Sequence, residues 1–116
     1  MTINSIVFVR RRFLRRRYIK VSLSNGRTYK IKRSGAYAVV LPPCSAAERA
    51  ALSTVYSAAW EWLNGGDPSY LDRGAKVACG RLVELIDWPI GWMANFSVEA
   101  RLKYVVECFR TGTNIN

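Results

Sequence analysis

Alternation of hydrophobic and polar positions predicts β-strands in the first third of the chain. The segments that are β-branched, aromatic or alternating are residues 6–9, 18–23, 27–32 and 36–41. Asn25-Gly26, between the second and third segments, indicates a hairpin turn. Pro42-Pro43 ends this region, because proline can neither donate a hydrogen bond to a strand ladder nor continue a helix. The pattern therefore predicts an antiparallel sheet of three or four strands.

The register of the hairpin around Asn25-Gly26 follows from the side chains that each loop length would place together. A two-residue loop would set Val21 opposite Lys30 and mix apolar with charged groups on both faces. A three-residue loop, with Gly26 in the left-handed conformation, pairs Val21 with Tyr29 and leaves one face apolar. We therefore expect the three-residue loop. The polar face then carries Tyr18, Lys20, Ser22, Thr28, Lys30 and Lys32.

Capping signals predict three helices in the second part of the chain. Ser45, followed three residues later by Glu48, is a capping box for the first helix, which Asn64-Gly65-Gly66 ends. Asp67-Pro68 predicts the start of the second helix, and the third begins near Ser97. The apolar stripes expected to form the core are Leu52, Val55, Ala59 and Leu63, then Leu71, Ala75, Ala78, Leu82 and Leu85, then Val98, Leu102, Val105 and Phe109.

Together these elements predict one α+β domain over residues 1–116. The antiparallel sheet of three or four strands occupies residues 1–41, three α-helices occupy residues 45–110, and residues 111–116 form a frayed tail. A chain of 116 residues is long enough to bury a core without disulfides or metals. We expect the apolar face of the sheet to pack against the helical stripes, because each must be covered from water.

The apolar segments do not indicate a membrane protein. The longest runs contain a few residues, far short of the roughly 20 that a spanning helix needs. A secretory signal peptide is not predicted, because Ile6–Val9 is too short for its apolar region and the arginines follow that segment. We therefore expect a cytoplasmic, intracellular protein, or one made inside a cell and carried in a particle, without a membrane partner.

The residues that carry most enzyme chemistry are scarce. Cys44, Cys79 and Cys108 are far apart, and the chain has no histidine, so neither a metal nor another cofactor is expected. We interpret the cysteines as small buried hydrophobic residues in a reducing compartment. A Ser-His-Asp triad cannot form, and the acids mostly fit as helix caps and exposed helix partners. We therefore expect no catalytic residues, with a Ser–Lys or carboxylate-only nuclease as the alternative that remains open.

Positive charge is concentrated in the predicted sheet. Residues 1–33 hold eleven of the 18 Lys and Arg residues and no acid, which leaves seven basic and eight acidic side chains, a net −1, in residues 34–116. The net charge of +10 therefore lies on one part of the fold. Such asymmetry indicates a partner of opposite charge, since folding itself does not require it.

Six arginines between Arg10 and Arg17 are the strongest functional feature. Guanidinium groups bind phosphate oxygens in pairs and stack on bases. Whether the run extends the first strand, forms a loop or lengthens the second strand is open. Lys20 is expected to face Lys30, a like-charge pair that costs a few tenths of a kcal/mol and that a polyanion would relieve. The expected nucleic-acid-binding residues are Arg10, Arg11, Arg12, Arg15, Arg16, Arg17, Tyr18, Lys20, Lys30 and Lys32.

Nucleic acid, either DNA or RNA, is the expected partner of this basic region. The same charges are also compatible with a solvated face whose lysines deter strand aggregation. An acidic surface of another protein or nucleoprotein complex is the alternative partner, which would make the protein a small adaptor or inhibitor. An anionic membrane is not expected, because membrane-surface binders carry basic residues on amphipathic helices or beside a lipid anchor. The small size and arginine-dense start are suggestive of a viral or mobile-element accessory protein.

Aromatic residues of the helical part form a second candidate interface. Trp60 lies about 100° from the centre of the apolar stripe of the first helix, with Tyr56 on the same shoulder. Tryptophan is enriched at protein interfaces, so Tyr56, Trp60 and Trp92 are the candidate residues for a protein contact. The alternative, which we favour for Trp60, is that the sheet packs on this shoulder and covers it.

Overall fold

The fold is α+β, as the sequence predicts: a four-stranded antiparallel sheet is followed by three helices. The computed structural model describes residues 1–11, 16–65, 71–88 and 95–115, with the backbone alone at Arg11 and Arg16. The elements are β1 (Ile3–Arg11), β2 (Arg16–Leu23), β3 (Thr28–Ser34), β4 (Tyr37–Leu41), α1 (Ala46–Leu63), α2 (Arg73–Leu85) and α3 (Val98–Thr111). The strands lie side by side in chain order, β1-β2-β3-β4.

The predicted register of the β2–β3 hairpin is confirmed. Val21 faces Tyr29, and the Leu23 N–H donates to the Arg27 carbonyl oxygen at 2.9 Å across a three-residue loop. Gly26 has a φ of 83°, the left-handed conformation that the loop requires. The apolar face of the sheet therefore forms as one surface.

That apolar face is the floor of the hydrophobic core. Ile19, Val21 and Ile31 are completely buried beneath the helical layer. Helix α1 packs against β2 and β3, and α2 packs against α1. We refer to this side of the sheet as the inner face and to the opposite side as the outer face. Because side chains alternate along a strand, the outer face carries Val7, Val9, Tyr18, Lys20, Ser22, Thr28, Lys30, Lys32, Tyr37, Val39 and Leu41.

Helix α1 begins as the sequence predicts, whereas α2 begins later. The Ser45–Glu48 capping box is present. Asp72 rather than Asp67 caps α2, since its carboxylate accepts from the Ala75 N–H at 2.6 Å. Asp67-Pro68 lies outside the described residues. Both aspartates suit a cap, and the later start leaves Leu71 buried just ahead of the helix.

The described helices are amphipathic. In α3, Val105 and Phe109 are buried, whereas Glu99 and Lys103 are exposed. Val98, which the sequence placed on the core face, is 68% exposed because the first turn of α3 lies beyond the packed helical layer. Over the described ranges, no helix combines the length and the apolar character that crossing a membrane requires.

The predicted frayed tail is wrong as far as Ile115. Gly112 ends α3 in the left-handed conformation and turns the chain back towards β1. Ile6 and Ile115 then exchange backbone hydrogen bonds of 2.7 and 2.8 Å, and the Ile115 side chain is 1% exposed. Asn114 Oδ1 also accepts from the Phe8 N–H at 2.9 Å. A buried side chain and paired backbone hold this segment against the sheet.

Two of the three cysteines fit the expectation of small buried hydrophobic residues. Cys79 and Cys108 are buried, whereas Cys44 is half-buried between β4 and α1. None of the three is in a disulfide. Burial raises the pKa of the Cys79 thiol to about 12, so this thiol stays protonated and unreactive at neutral pH.

Candidate nucleic-acid interface

The two ends of the arginine run lie on the paired strands β1 and β2. β1 continues through Arg11 and β2 begins at Arg16, so both strands extend into the run. The register sets Arg10 opposite Arg17 and Arg11 opposite Arg16. Residues 12–15, including the predicted site residues Arg12 and Arg15, lie outside the described residues. The hairpin register thus sets like-charged residues opposite each other at two successive positions, an arrangement that is unfavourable in the free protein.

Lysines continue this charge across the outer face of the sheet. Lys20 faces Lys30 directly, and Lys32 faces Tyr18 on the neighbouring strand. Lys20 is exposed, whereas Lys30 and Lys32 are half-buried. None of these lysines forms an ion pair with a described acid. The outer face therefore presents positive charge that no described carboxylate neutralises.

Tyr18 is less accessible than its place on the outer face indicates. Its side chain is 8% exposed, and Lys30 Nζ lies 4.1 Å from the centroid of its ring. This cation–π contact covers a face of the ring. A nucleic-acid base could stack on Tyr18 only after Lys30 moves away.

Arg17 has a structural contact that the sequence did not indicate. It lies on the inner face of β2, where its Nη1 donates to the Trp62 carbonyl oxygen at 2.9 Å. Its guanidinium carbon lies 5.4 Å from the centroid of the Trp62 ring. Burial lowers the pKa of the Arg17 guanidinium, and the positive charge of Arg10 lowers it further. Arg17 therefore ties the hairpin to the C-terminal end of α1, where a cation is favoured by the helix dipole.

Two residues near the hairpin end were missed by the sequence reasoning. Arg33 donates to the Gly35 carbonyl oxygen at 2.9 Å and to Asn64 Oδ1, at the same end of the sheet as Arg10. Tyr37, just after the β3–β4 turn, is 78% exposed. Arg33 could have been identified from its place directly after Lys32 on a basic strand. Tyr37 could have been identified from its position at the start of a strand, after Gly35.

The second candidate interface is an open groove of about 320 Å³ beside α1. The rings of Tyr56 and Trp60 meet edge to face with centroids 5.6 Å apart, and Val77 and Arg81 of α2 also line the groove. Trp60 is half-buried, with the guanidinium of Arg33 5.8 Å from its ring centroid. The sheet therefore reaches this shoulder of α1 without covering it completely.

The predicted interface residue Trp92 lies outside the described residues, so the groove is defined by Tyr56 and Trp60. The Tyr56 hydroxyl at this groove is buried without a hydrogen-bond partner among the described residues. Burial raises the pKa of that hydroxyl, while the positive charge of Arg33 opposes the rise. A partner group that enters the groove could supply the missing hydrogen bond.

The buried acid Glu48 has structural contacts with the sheet and with the start of α1. Glu48, 2% exposed, accepts hydrogen bonds from the Tyr29 hydroxyl, the Ser45 N–H and Asn25 Nδ2. These bonds, that from Tyr29 above all, lower the pKa of Glu48 from 4.5 to about 2. Within the described part of the chain, no cluster of three or more Cys, Asp or Glu residues could hold a metal ion.

Comparison with known proteins identifies no relative that could indicate a function. No protein-family model matches the chain, and no curated protein or solved structure matches it significantly.

Proposed function

We propose that this protein binds nucleic acid through its basic sheet and catalyses no reaction on it. The observation that carries the proposal is the pairing of like charges on neighbouring strands: Arg10 with Arg17, Arg11 with Arg16, and Lys20 with Lys30. The phosphate backbone of a nucleic acid is the complementary ligand, because its negative charges repeat at intervals along the strand and can contact several cations at once.

The free-energy cost of these like-charge pairs supports the proposal of a bound anion. Each like-charge pair that faces across strands costs about 0.2–1 kcal/mol in the free protein. A neutral or mixed-charge surface would avoid that cost, and the helical part of the same chain has such a surface, with a net charge near zero. A polyanion bound across the lysines of the outer face and reaching the exposed Arg10 at the hairpin end would replace the mutual repulsion of these cations with attraction for one ligand.

The type of element that carries the charge favours nucleic acid over a membrane. The cations lie on an antiparallel sheet, whereas membrane-surface proteins use amphipathic helices with apolar residues opposite the charges. Two-stranded β-ribbons fit the major groove of DNA, and open sheets with exposed aromatic residues bind single strands. The sheet is therefore compatible with either DNA or RNA as its ligand.

Salt dependence of binding is the decisive experiment. Fluorescence anisotropy with labelled duplex DNA, single-stranded DNA and RNA should show affinity that falls about a thousandfold between 50 and 200 mM salt if about six phosphates are contacted. Lys20→Gln should weaken binding to all sequences similarly, because phosphate contacts do not specify bases. Lys103→Gln, which removes an exposed cation of α3, is the matched control. Affinity that is insensitive to salt, or equal losses from both variants, would contradict the proposal.

A second candidate function is that of a small adaptor or inhibitor that docks on an acidic surface of another protein or nucleoprotein complex. The observation that favours it is the groove beside Trp60, where Val77 is 53% exposed and the Tyr56 hydroxyl has no described partner. Pull-down from a native lysate with and without nuclease separates the two functions. Association that survives nuclease and is lost in Trp60→Ala supports docking on a protein, whereas association lost with nuclease supports direct binding of nucleic acid.

A further inference from the structure

The two edges of the sheet differ in how they are protected. The β1 edge is covered: Ile6 pairs with Ile115, and the Ile3 carbonyl oxygen accepts from the Asp87 N–H at 2.9 Å. Along the other edge, β4 pairs with β3, and no other described segment forms backbone hydrogen bonds with it. The strand reads Tyr37-Ala38-Val39-Val40-Leu41, with none of the charges, prolines or bulges that usually block an edge.

The direction of the free backbone groups follows from the β3–β4 turn. Its two-residue loop makes Ser34 and Tyr37 a hydrogen-bonded pair, and bonded and non-bonded pairs alternate from there. Lys32 and Val39 are therefore also a bonded pair. The N–H and C=O groups of Ala38 and Val40 consequently point away from β3, towards the open side of the edge.

We propose that a second copy of this chain pairs with β4, antiparallel and two-fold symmetric about Val39. In this register Ala38 of each copy exchanges backbone hydrogen bonds with Val40 of the other, so each outward group finds a partner. Val39 faces Val39, and Tyr37 faces Leu41. Because the two-fold axis is perpendicular to the sheet, both outer faces lie on the same side and form one continuous surface.

The side chains are self-complementary in this register. Tyr37 is 78% exposed and Leu41 is 43% exposed, and each would cover the other across the interface. The outer-face cations nearest to the edge are on β3, so equivalent lysines of the two copies are three strand spacings apart, about 14 Å. That separation exceeds the Debye length of about 8 Å at physiological salt. An uncharged strand therefore meets its own sequence without a like-charge contact.

The size of the interface and the charge of the protein determine how the dimer responds to protein concentration and to salt. One short strand from each copy buries little area, so the dimer is weak and depends on concentration. Each copy has a net charge of +10, and salt screens the resulting repulsion. Higher salt therefore strengthens the dimer, whereas it weakens the proposed binding of nucleic acid. The failure of one proposal is thus distinguishable from the failure of the other.

Cross-linking through an introduced cysteine tests the register directly. Non-hydrogen-bonded antiparallel pairs have Cα atoms about 4.5 Å apart, within the range of a disulfide. In a Cys44→Ser background, Val39→Cys should give a covalent dimer on mild oxidation. Val9→Cys, a half-buried valine of the outer face on the covered β1 edge, is the matched control. A monomeric Val39→Cys protein, or equal cross-linking of both variants, would overturn the proposal.

Sedimentation of the protein without cross-links tests the association itself. The wild-type sedimentation coefficient should rise with protein concentration, and more steeply at high salt. Ala38→Pro removes an outward N–H that β3 does not use, and it should abolish this rise. Val39→Lys, which sets two lysines opposite each other, should do the same if Ala38→Pro does not fold. A wild-type protein that stays monomeric, or variants that associate like the wild type, would contradict the proposed dimer.

Discussion

The hydroxyl of Tyr29 donates a hydrogen bond to the buried carboxylate of Glu48, and this bond joins the centre of the sheet to the first turn of α1. Asn25, in the β2–β3 loop, donates to the same carboxylate through its Nδ2 at 3.0 Å. One acidic side chain therefore fixes a strand, a loop and a helix start. Glu48 is the single acid buried in the described part of the chain, and its role is to orient the basic sheet relative to the helices.

Stability should fall at acid pH because of Glu48. Its folded pKa is about 2, below the ordinary 4.5, so the folded state favours the charged carboxylate. This stabilisation is complete above pH 4.5 and is lost as the pH falls through about 2. Thermal melts across this window should show a falling melting temperature for the wild type and a flatter profile for Glu48→Gln. Glu84→Gln controls for the loss of one exposed carboxylate. Parallel profiles for wild type and Glu48→Gln would contradict the assignment.

Local sequence signals were sufficient for most of the fold. The alternation in β2 and β3 specified the hairpin register, because a one-residue shift would set Val21 opposite Lys30 and mix apolar with charged groups on both faces. The capping box at Ser45 was also readable, because its residues are neighbours in sequence. These features depend on contacts over a few residues, and that is the range that patterning arguments cover.

Contacts between distant segments could not be predicted from the sequence. Ile115 pairs with Ile6 at the other end of the chain, beside β1. Its own neighbours in sequence give no sign of this contact, so the sequence predicted a frayed tail. The sequence predicted that all six arginines of the run, Arg17 included, bind nucleic acid. In the structure, strand alternation places Arg17 on the inner face, where it contacts Trp62. The candidate site could thus be located in sequence, but its division into structural and ligand-facing arginines requires three dimensions.

Gly112→Ala should destabilise the protein through two separable effects. Gly112 has a φ of 74°, which costs a non-glycine residue about 1–3 kcal/mol, and a Cβ there would lie 2.5 Å from Trp62 Nε1. Gly65→Ala is the matched control, because Gly65 has a φ of 69° and no atom within 4 Å of its added Cβ. Urea denaturation should show a larger loss for Gly112→Ala. Equal losses would mean that Trp62 moves aside without cost.

Arg10 and Arg17 face each other across the hairpin, but their replacement should have different effects. Arg17→Gln removes a charged hydrogen bond to the Trp62 carbonyl and should cost about 1.5–3 kcal/mol. Arg10 is exposed and its charge repels that of Arg17, so Arg10→Gln should leave stability unchanged or raise it slightly, and it should weaken nucleic-acid binding. Thermal melts and anisotropy titrations on both variants test this division. A stable Arg17→Gln protein would show that its contact with α1 is dispensable.

Ile115→Ala should cost about 2–5 kcal/mol, the range for removing a buried isoleucine side chain beyond the Cβ. Ile115 is 1% exposed and belongs to the core cluster beside the β1 edge. Thr113→Ala, in the same segment but exposed, controls for a change of the tail that does not affect the core. The free energy of unfolding from urea denaturation is the measurement. A loss below about 0.5 kcal/mol, typical of surface substitutions, would mean that the tail is detached in solution.

Lys20 and Lys30 face each other, yet neutralising them should have unequal effects on stability. Lys20→Gln removes the like-charge repulsion, worth about 0.2–1 kcal/mol, and removes no described attractive contact. Lys30→Gln removes the same repulsion but also the cation–π contact with Tyr18, worth about 0.5–1 kcal/mol. Lys20→Gln should therefore raise the melting temperature slightly, whereas Lys30→Gln should leave it nearly unchanged.

The double variant of Lys20 and Lys30 completes the cycle. Once either lysine is neutral, the repulsion is already gone, so the second replacement should give no further gain. Both single variants should weaken nucleic-acid binding, because a phosphate is attracted to each charge regardless of its neighbour. Thermal melts and anisotropy titrations on the four proteins separate these terms. Additive gains in stability would mean that the two lysines do not repel each other. The argument that a bound polyanion relieves their repulsion would then fail for this pair.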